Sequence, residues 1–162
     1  MQSHVSNQKN LNKSFKTANR FISYRPRSEL EIREKLLTKF PSSLVQKTID
    51  LLKSQNKIND SLFAKFWVHK YTNSSYRSSS FIKAELIKKG LDPDIIHGAI
   101  EQIDDEHLAF LSARKAIKNF HPDNYQSFTN KILNTLNYRG FDYSLSCKIA
   151  EELWREKPET IA

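Results

Sequence analysis

Apolar residues recur along this chain at three- and four-residue intervals, and polar or proline-bearing segments interrupt them at regular stations. From Ser14 to Tyr24, the positions Phe15, Ala18, Phe21 and Ile22 form an i, i+3, i+6, i+7 stripe, the pattern of an amphipathic helix. Pro26 ends it, because its ring lacks an N–H and forces Arg25 out of α space. Ser28 stands three residues before Glu31, the spacing of a capping box, and Ile32, Leu36 and Leu37 line the helix that follows. Pro41 and Ser42 separate it from a third helix bearing Val45, Ile49 and Leu52.

The cadence then returns twice. Asn59, Asp60 and Ser61 open a helix through Leu62, Phe63, Phe66, Trp67 and Lys70, which the polar stretch Thr72 to Ser80 breaks, with Ser80 as the expected N-cap of the next. Ile82, Leu86 and Ile87 carry that next helix to Gly90, where a positive φ is cheap. Pro93 sits at the first position of another, with Ile96, Ala99, Ile100 and Ile103. Asp104 and Asp105 begin the last group, which His121-Pro122-Asp123 interrupts before Phe128, Ile132 and Leu136 lead to Gly140. Leu145, Ile149, Leu153 and Trp154 close it.

A shift of 50 residues brings these groups into register. Ile32, Ile82 and Ile132 align, as do Leu36, Leu86 and Leu136; Lys39, Lys89 and Arg139; Phe40, Gly90 and Gly140; Val45, Ile95 and Leu145. Amphipathic helices share a period and would match hydrophobics by chance, but chance poorly explains a basic residue followed by glycine at one fixed spacing. The expectation is an all-α protein of three tandem three-helix repeats, covering 14–58, 59–103 and 104–157, with a flexible segment at 1–13 and a tail at 158–162. Three short helices bury too little alone, so neighbouring repeats must share apolar surface, and an elongated, curved molecule is the expected result.

Composition narrows the chemistry. Only three glycines occur in 162 residues, so neither GxGxxG nor GxxxxGK[ST] can be written and no glycine-rich phosphate cradle is available. The five histidines form no HxxxH or HExxH, and Cys147 stands alone, so neither a zinc site nor an internal disulfide is expected. Ser80 to Lys83 spells S-x-x-K, but the accompanying S-D-N and K-T-G elements of that enzyme class are absent. The paired acidic residues lie at helix ends, where they offset the helix dipole. No catalytic residue, metal or cofactor is expected. Nor is a membrane span or a secretory signal, and the reading is a cytoplasmic monomer.

Charge gives the sharper signal. Of the net +8, residues 1–60 carry 12 basic and 5 acidic groups, whereas 61–110 carry 6 and 7. A basic first third suits a polyanionic or acidic partner, although a lysine-rich solvated face would look the same. Arg25, Arg27, Arg33, Lys35 and Lys39 cluster around the Pro26 turn. Lys89 and Arg139 precede glycines at helix C-termini, where the dipole also favours a cation. Arg25 and Arg27 lie in a loop with no such account, and replacing both by alanine is expected to weaken partner binding without loss of helicity.

The string Arg25-x-Arg27-Ser28-x-x-Glu31-Ile32-x-x-Lys35-Leu36 resembles the opening signature of the RecX family of RecA modulators. Ile58-Asn59-Asp60 with Phe63-Ala64, Ile82-x-x-Glu85-Leu86-x-x-Lys89-Gly90-Leu91 and Arg139-Gly140-Phe141 continue it in order, over about residues 14–155. Phe40 replaces the family's usual glycine and Lys70 its common arginine. The resemblance implies three tandem three-helix repeats and a non-enzymatic protein that binds the RecA–DNA filament, suppresses recombinase and ATPase activity, and so regulates DNA repair and recombination. It implies RecA, single-stranded DNA and, less firmly, duplex DNA as partners. Contact is expected through Arg25, Arg27, Arg33, Lys35, Lys39, Lys70, Lys83, Lys88, Lys89 and Arg139. The competing reading is a stand-alone DNA-binding protein of the helix-turn-helix kind, which the near-neutral middle repeat disfavours.

Overall fold

A computed structural model describes residues 2–156, with side chains from residue 8 onward. The described residues form nine α-helices and no strand: α1 Gln2–Ile22, α2 Glu29–Leu37, α3 Ser42–Ser54, α4 Asp60–Ser75, α5 Ser79–Lys88, α6 Pro93–Ile100, α7 Asp105–Ile117, α8 Tyr125–Tyr138 and α9 Tyr143–Arg155. The expected tail at 158–162 lies outside the described residues. No helix among them is long and apolar enough to cross a membrane.

Local signals explain most helix ends. Ser28 caps α2 by accepting the Glu31 N–H, while the Glu31 carboxylate accepts the Ser28 N–H, so both halves of the capping box form. Gly90 and Gly140 follow α5 and α8 at φ +74° and +89°, and Pro93 opens α6. After α2, by contrast, the turn at Phe40 uses no positive φ, and the Phe40 N–H returns to the Leu36 carbonyl before Pro41 starts α3.

Two expectations shift. Helix α1 starts at Gln2, so the stripe at 14–24 belongs to a longer helix, and residues 2–13, expected as a flexible segment, are helical. That segment contains neither Pro nor Gly, so no residue in it breaks a helix. Ser78, not Ser80, caps α5: its Oγ accepts the Phe81 N–H, and Ser80 lies in the first turn. The 50-residue register already equates Ser78 with Ser28.

The described residues pack as two compact units, one of 2–66 with 86–99, the other of 67–85 with 100–156. In the first, α1, α2 and α3 pack on one another around Ala18, Ile32, Leu36, Val45, Ile49, Leu52 and Ile58. Ser14 joins that interior by sharing a hydrogen bond with Thr48 while its hydroxyl also reaches the Leu11 carbonyl. In the second, α7, α8 and α9 enclose Leu108, Ala113, Phe128, Ile132, Leu136, Ile149 and Leu153. In the middle repeat Phe63, Ala64, Ile82, Leu86 and Ile96 are buried, and α4 and α5 each contribute residues to both units.

Candidate interaction surface

Within the first unit, the turn after α5 docks on the N-terminus of α2. A Cβ on Gly90 would lie 2.8 Å from Leu30 Cδ2 and 2.9 Å from Leu30 Cβ, so glycine permits the approach as well as the φ. Beside it, Glu31 gathers three cations. Arg25 clasps the carboxylate with both nitrogens at 2.7 and 3.1 Å, Lys89 donates to Oε1 at 3.0 Å, and Arg27 Nη1 stands 4.0 Å away. Burial alone would raise the Glu31 pKa, but the hydrogen bonds and charges of Arg25 and Lys89 outweigh it and hold the group at about 2. Arg27 stacks over Phe21 at 3.9 Å and donates to the Phe21 carbonyl. Its burial, then the Arg25 charge, lowers its pKa against the opposing pull of Glu31.

Glu29 organises a second group. It accepts Arg33 at 2.7 Å and Lys53 at 2.6 Å; burial works against its ionisation, yet these two cations win and lower its pKa. The Glu29 N–H is taken by Asp60 Oδ1 at 3.1 Å, so the first residue of α4 serves the first turn of α2. Burial, with the Glu29 charge behind it, raises the Asp60 pKa.

The second unit repeats the joint at the 50-residue shift. The turn after α8 meets the N-terminus of α5: the Ser78 N–H donates to the Arg139 carbonyl at 3.1 Å and the Ser78 hydroxyl to the Gly140 carbonyl at 2.7 Å. A Cβ on Gly140 would lie 2.7 Å from Ser78 Oγ and 2.8 Å from Phe81 Cβ. Asp105 takes the part of Asp60, accepting the Ser79 N–H at 2.7 Å and hydroxyl at 2.6 Å. Arg77 donates to the Tyr138 carbonyl and lies over the Phe81 and Tyr138 rings at 4.4 and 4.5 Å.

The ten cations named from the sequence thus fall into classes. Arg25, Arg27 and Lys89 converge on Glu31, and Arg33 on Glu29 and Gln46. Replacing Arg25 and Arg27 would therefore strip a structural carboxylate of two of its cations, so a loss of stability is expected alongside the loss of binding. Lys35, Lys39, Lys70 and Lys83 are exposed and form no ion pair among the described residues, although Lys70 lies 4.5 Å over Trp67 and Lys35 5.8 Å from Phe21. Lys88 is exposed at the end of α5, and Arg139 is half-buried. The sequence reading missed Glu31 as a hub and Arg77 altogether. The register equating Lys89 with Arg139 also equates Arg27 with Arg77, and that signal was available.

Comparison with known proteins follows the same lines. The family profile described as "RecX, first three-helix domain" matches residues 15–52, and "RecX, second three-helix domain" matches 59–100. "Regulatory protein RecX" of Corynebacterium efficiens is 30 % identical over 145 residues, 85 % of this chain and 69 % of that protein. The Clostridioides difficile protein of the same name is 29 % identical over 135 residues, 82 % of this chain and 64 % of its own length. Against "Regulatory protein RecX" from Streptococcus agalactiae the chain spans 55 % of the relative's length. The crystal structure of RecX from Lactobacillus salivarius superposes with a TM-score of 0.77 at 26 % identity, covering 91 % of this chain and 99 % of that one.

Proposed function

This chain belongs to the RecX family, and from that premise we propose that it is a non-enzymatic regulator that binds the RecA–DNA filament and restrains recombinase and ATPase activity. The observation that carries the reading is family membership joined to a particular distribution of charge. Several cations are tied up inside the joints, while Lys35, Lys39 and Lys83 remain exposed and unpaired among the described residues. Lysines of that kind suit a polyanionic surface: each contact is weak, sequence-independent and salt-sensitive, and affinity accumulates by number.

Two charge-reversed variants test it, Lys35→Glu with Lys39→Glu, and Lys83→Glu. Each is expected to weaken co-sedimentation with RecA assembled on single-stranded DNA by about tenfold, with the melting midpoint lowered only slightly, because no ion pair among the described residues is removed. Unaltered co-sedimentation counts against the reading. Tight binding to naked duplex with no preference for the filament would favour the stand-alone DNA-binding alternative.

A further inference from the structure

The two joints have the same architecture, but only the first has a carboxylate among its cations. In the first unit, the cations of the turn and loop, Arg25, Arg27 and Lys89, surround the Glu31 carboxylate. In the second, the 50-residue register places Arg77 on Arg27 and Arg139 on Lys89, but it places Phe81 on Glu31. The carboxylate is gone while two of the cations remain. Neither Arg77 nor Arg139 forms an ion pair among the described residues, and Arg139 Nη1 is closed off from solvent with no hydrogen-bond partner among them. A buried guanidinium N–H left without an acceptor is costly, and a second cation at hand adds repulsion. Burial first, then the Arg77 charge, pushes the Arg139 pKa down. Lys115, 5.5 Å from the Tyr76 ring, adds a further positive charge to this side of the unit.

We propose that Arg77 and Arg139 form a receptor for a side-chain carboxylate from an acidic protein segment, which would sit beside Phe81 and do for these two cations what Glu31 does for those of the other joint. The internal counterpart supplies the ligand class: the same two positions, in the same frame of N-cap and glycine turn, hold a carboxylate at 3.0 Å from Lys89 and 4.0 Å from Arg27. Arginine in both positions here suits a planar two-oxygen acceptor better than lysine would. Arg77 covers one face of Phe81 and of Tyr138, while Tyr138 stays largely exposed, so the choice of carboxylate over phosphate rests on the Glu31 counterpart and is decided by paired peptide and oligothymidylate probes. The proposal goes beyond the filament reading and does not require RecA to supply the acidic segment.

Phe81→Glu supplies the missing carboxylate in cis. The probes are a labelled deca-glutamate peptide and a labelled ten-residue oligothymidylate, titrated at low salt in the full chain. Arg77→Gln with Arg139→Gln, and separately Phe81→Glu, are expected to weaken peptide binding by about tenfold, and oligothymidylate binding by much less. A charge-matched control, Lys47→Gln with Lys65→Gln, is expected to change peptide binding less than about twofold, since both lysines are exposed elsewhere. Phe81→Glu is also expected to cost fewer degrees of melting midpoint in the wild-type background than in the double-glutamine background. Equal peptide affinity across all variants overturns the proposal. A loss as large for oligothymidylate as for the peptide overturns it in favour of a phosphate site. If the double-glutamine variant fails to fold, Phe81→Glu alone decides on the same binding readout. Because neither probe contains RecA, failure here and failure of the filament reading remain distinct results.

Discussion

Glu31→Gln is expected to destabilise the first unit by about 2 kcal/mol at neutral pH, several times the cost of substituting an exposed charge. The glutamine keeps an acceptor for the helix cap, so the loss isolates the charge. Arg25, Arg27 and Lys89 are then left facing one another around a neutral amide. The figure stays below that of a fully buried pair because Arg25 and Lys89 are about a third exposed and solvent screens them. The pH dependence has a definite sign. The folded pKa of Glu31, about 2, lies below the ordinary value of 4.5, so its stabilisation is complete above 4.5 and disappears as pH falls towards 2. Urea melts of wild type and variant should therefore differ at pH 7 and converge near pH 2. A gap of the same size at both would mean that the carboxylate's charge is not what holds the joint.

The second large effect is expected from one methyl group. Gly90→Ala and Gly140→Ala should each cost about 2–4 kcal/mol, combining a positive φ with a collision that cannot be relieved by rotating a flexible side-chain end. Leu30 Cβ and Phe81 Cβ, at 2.9 and 2.8 Å from the added atom, are fixed to their helices. Gly98→Ala provides the contrast: it lies inside α6, has nothing within 4 Å of the added Cβ, and should gain about 0.5–1 kcal/mol. Thermal melts of the three variants check this. Equal behaviour at positions 90, 98 and 140 would remove the claim that glycine is needed for the docking of these turns.

Much of the fold was legible because its cues are local. The capping box at Ser28 and Glu31, proline at the start of α6, and glycine after α5 and α8 each follow from a few adjacent residues. What escaped depends on which distant segments meet. Arg25 and Arg27 look like free loop cations in sequence; Glu31, six residues from Arg25, was already assigned to the cap, and its second duty appears only when Lys89 arrives from 58 residues away. The run of serines from Ser78 to Ser80 offers several chemically equivalent caps, and what marks Ser78 is its bond to the Gly140 carbonyl, 62 residues on. The loss of Glu31 at Phe81 was visible in the register, but its meaning depends on Arg77 and Arg139 standing together without a carboxylate, with Arg139 Nη1 lacking an acceptor among the described residues.

The most direct test of the regulatory account follows ATP hydrolysis by RecA on single-stranded DNA as this protein is added. Inhibition at fewer than one molecule per RecA protomer is predicted, because a modulator of a polymer need not occupy every protomer. Hydrolysis that stays unchanged when the protein is in excess over RecA would contradict the account.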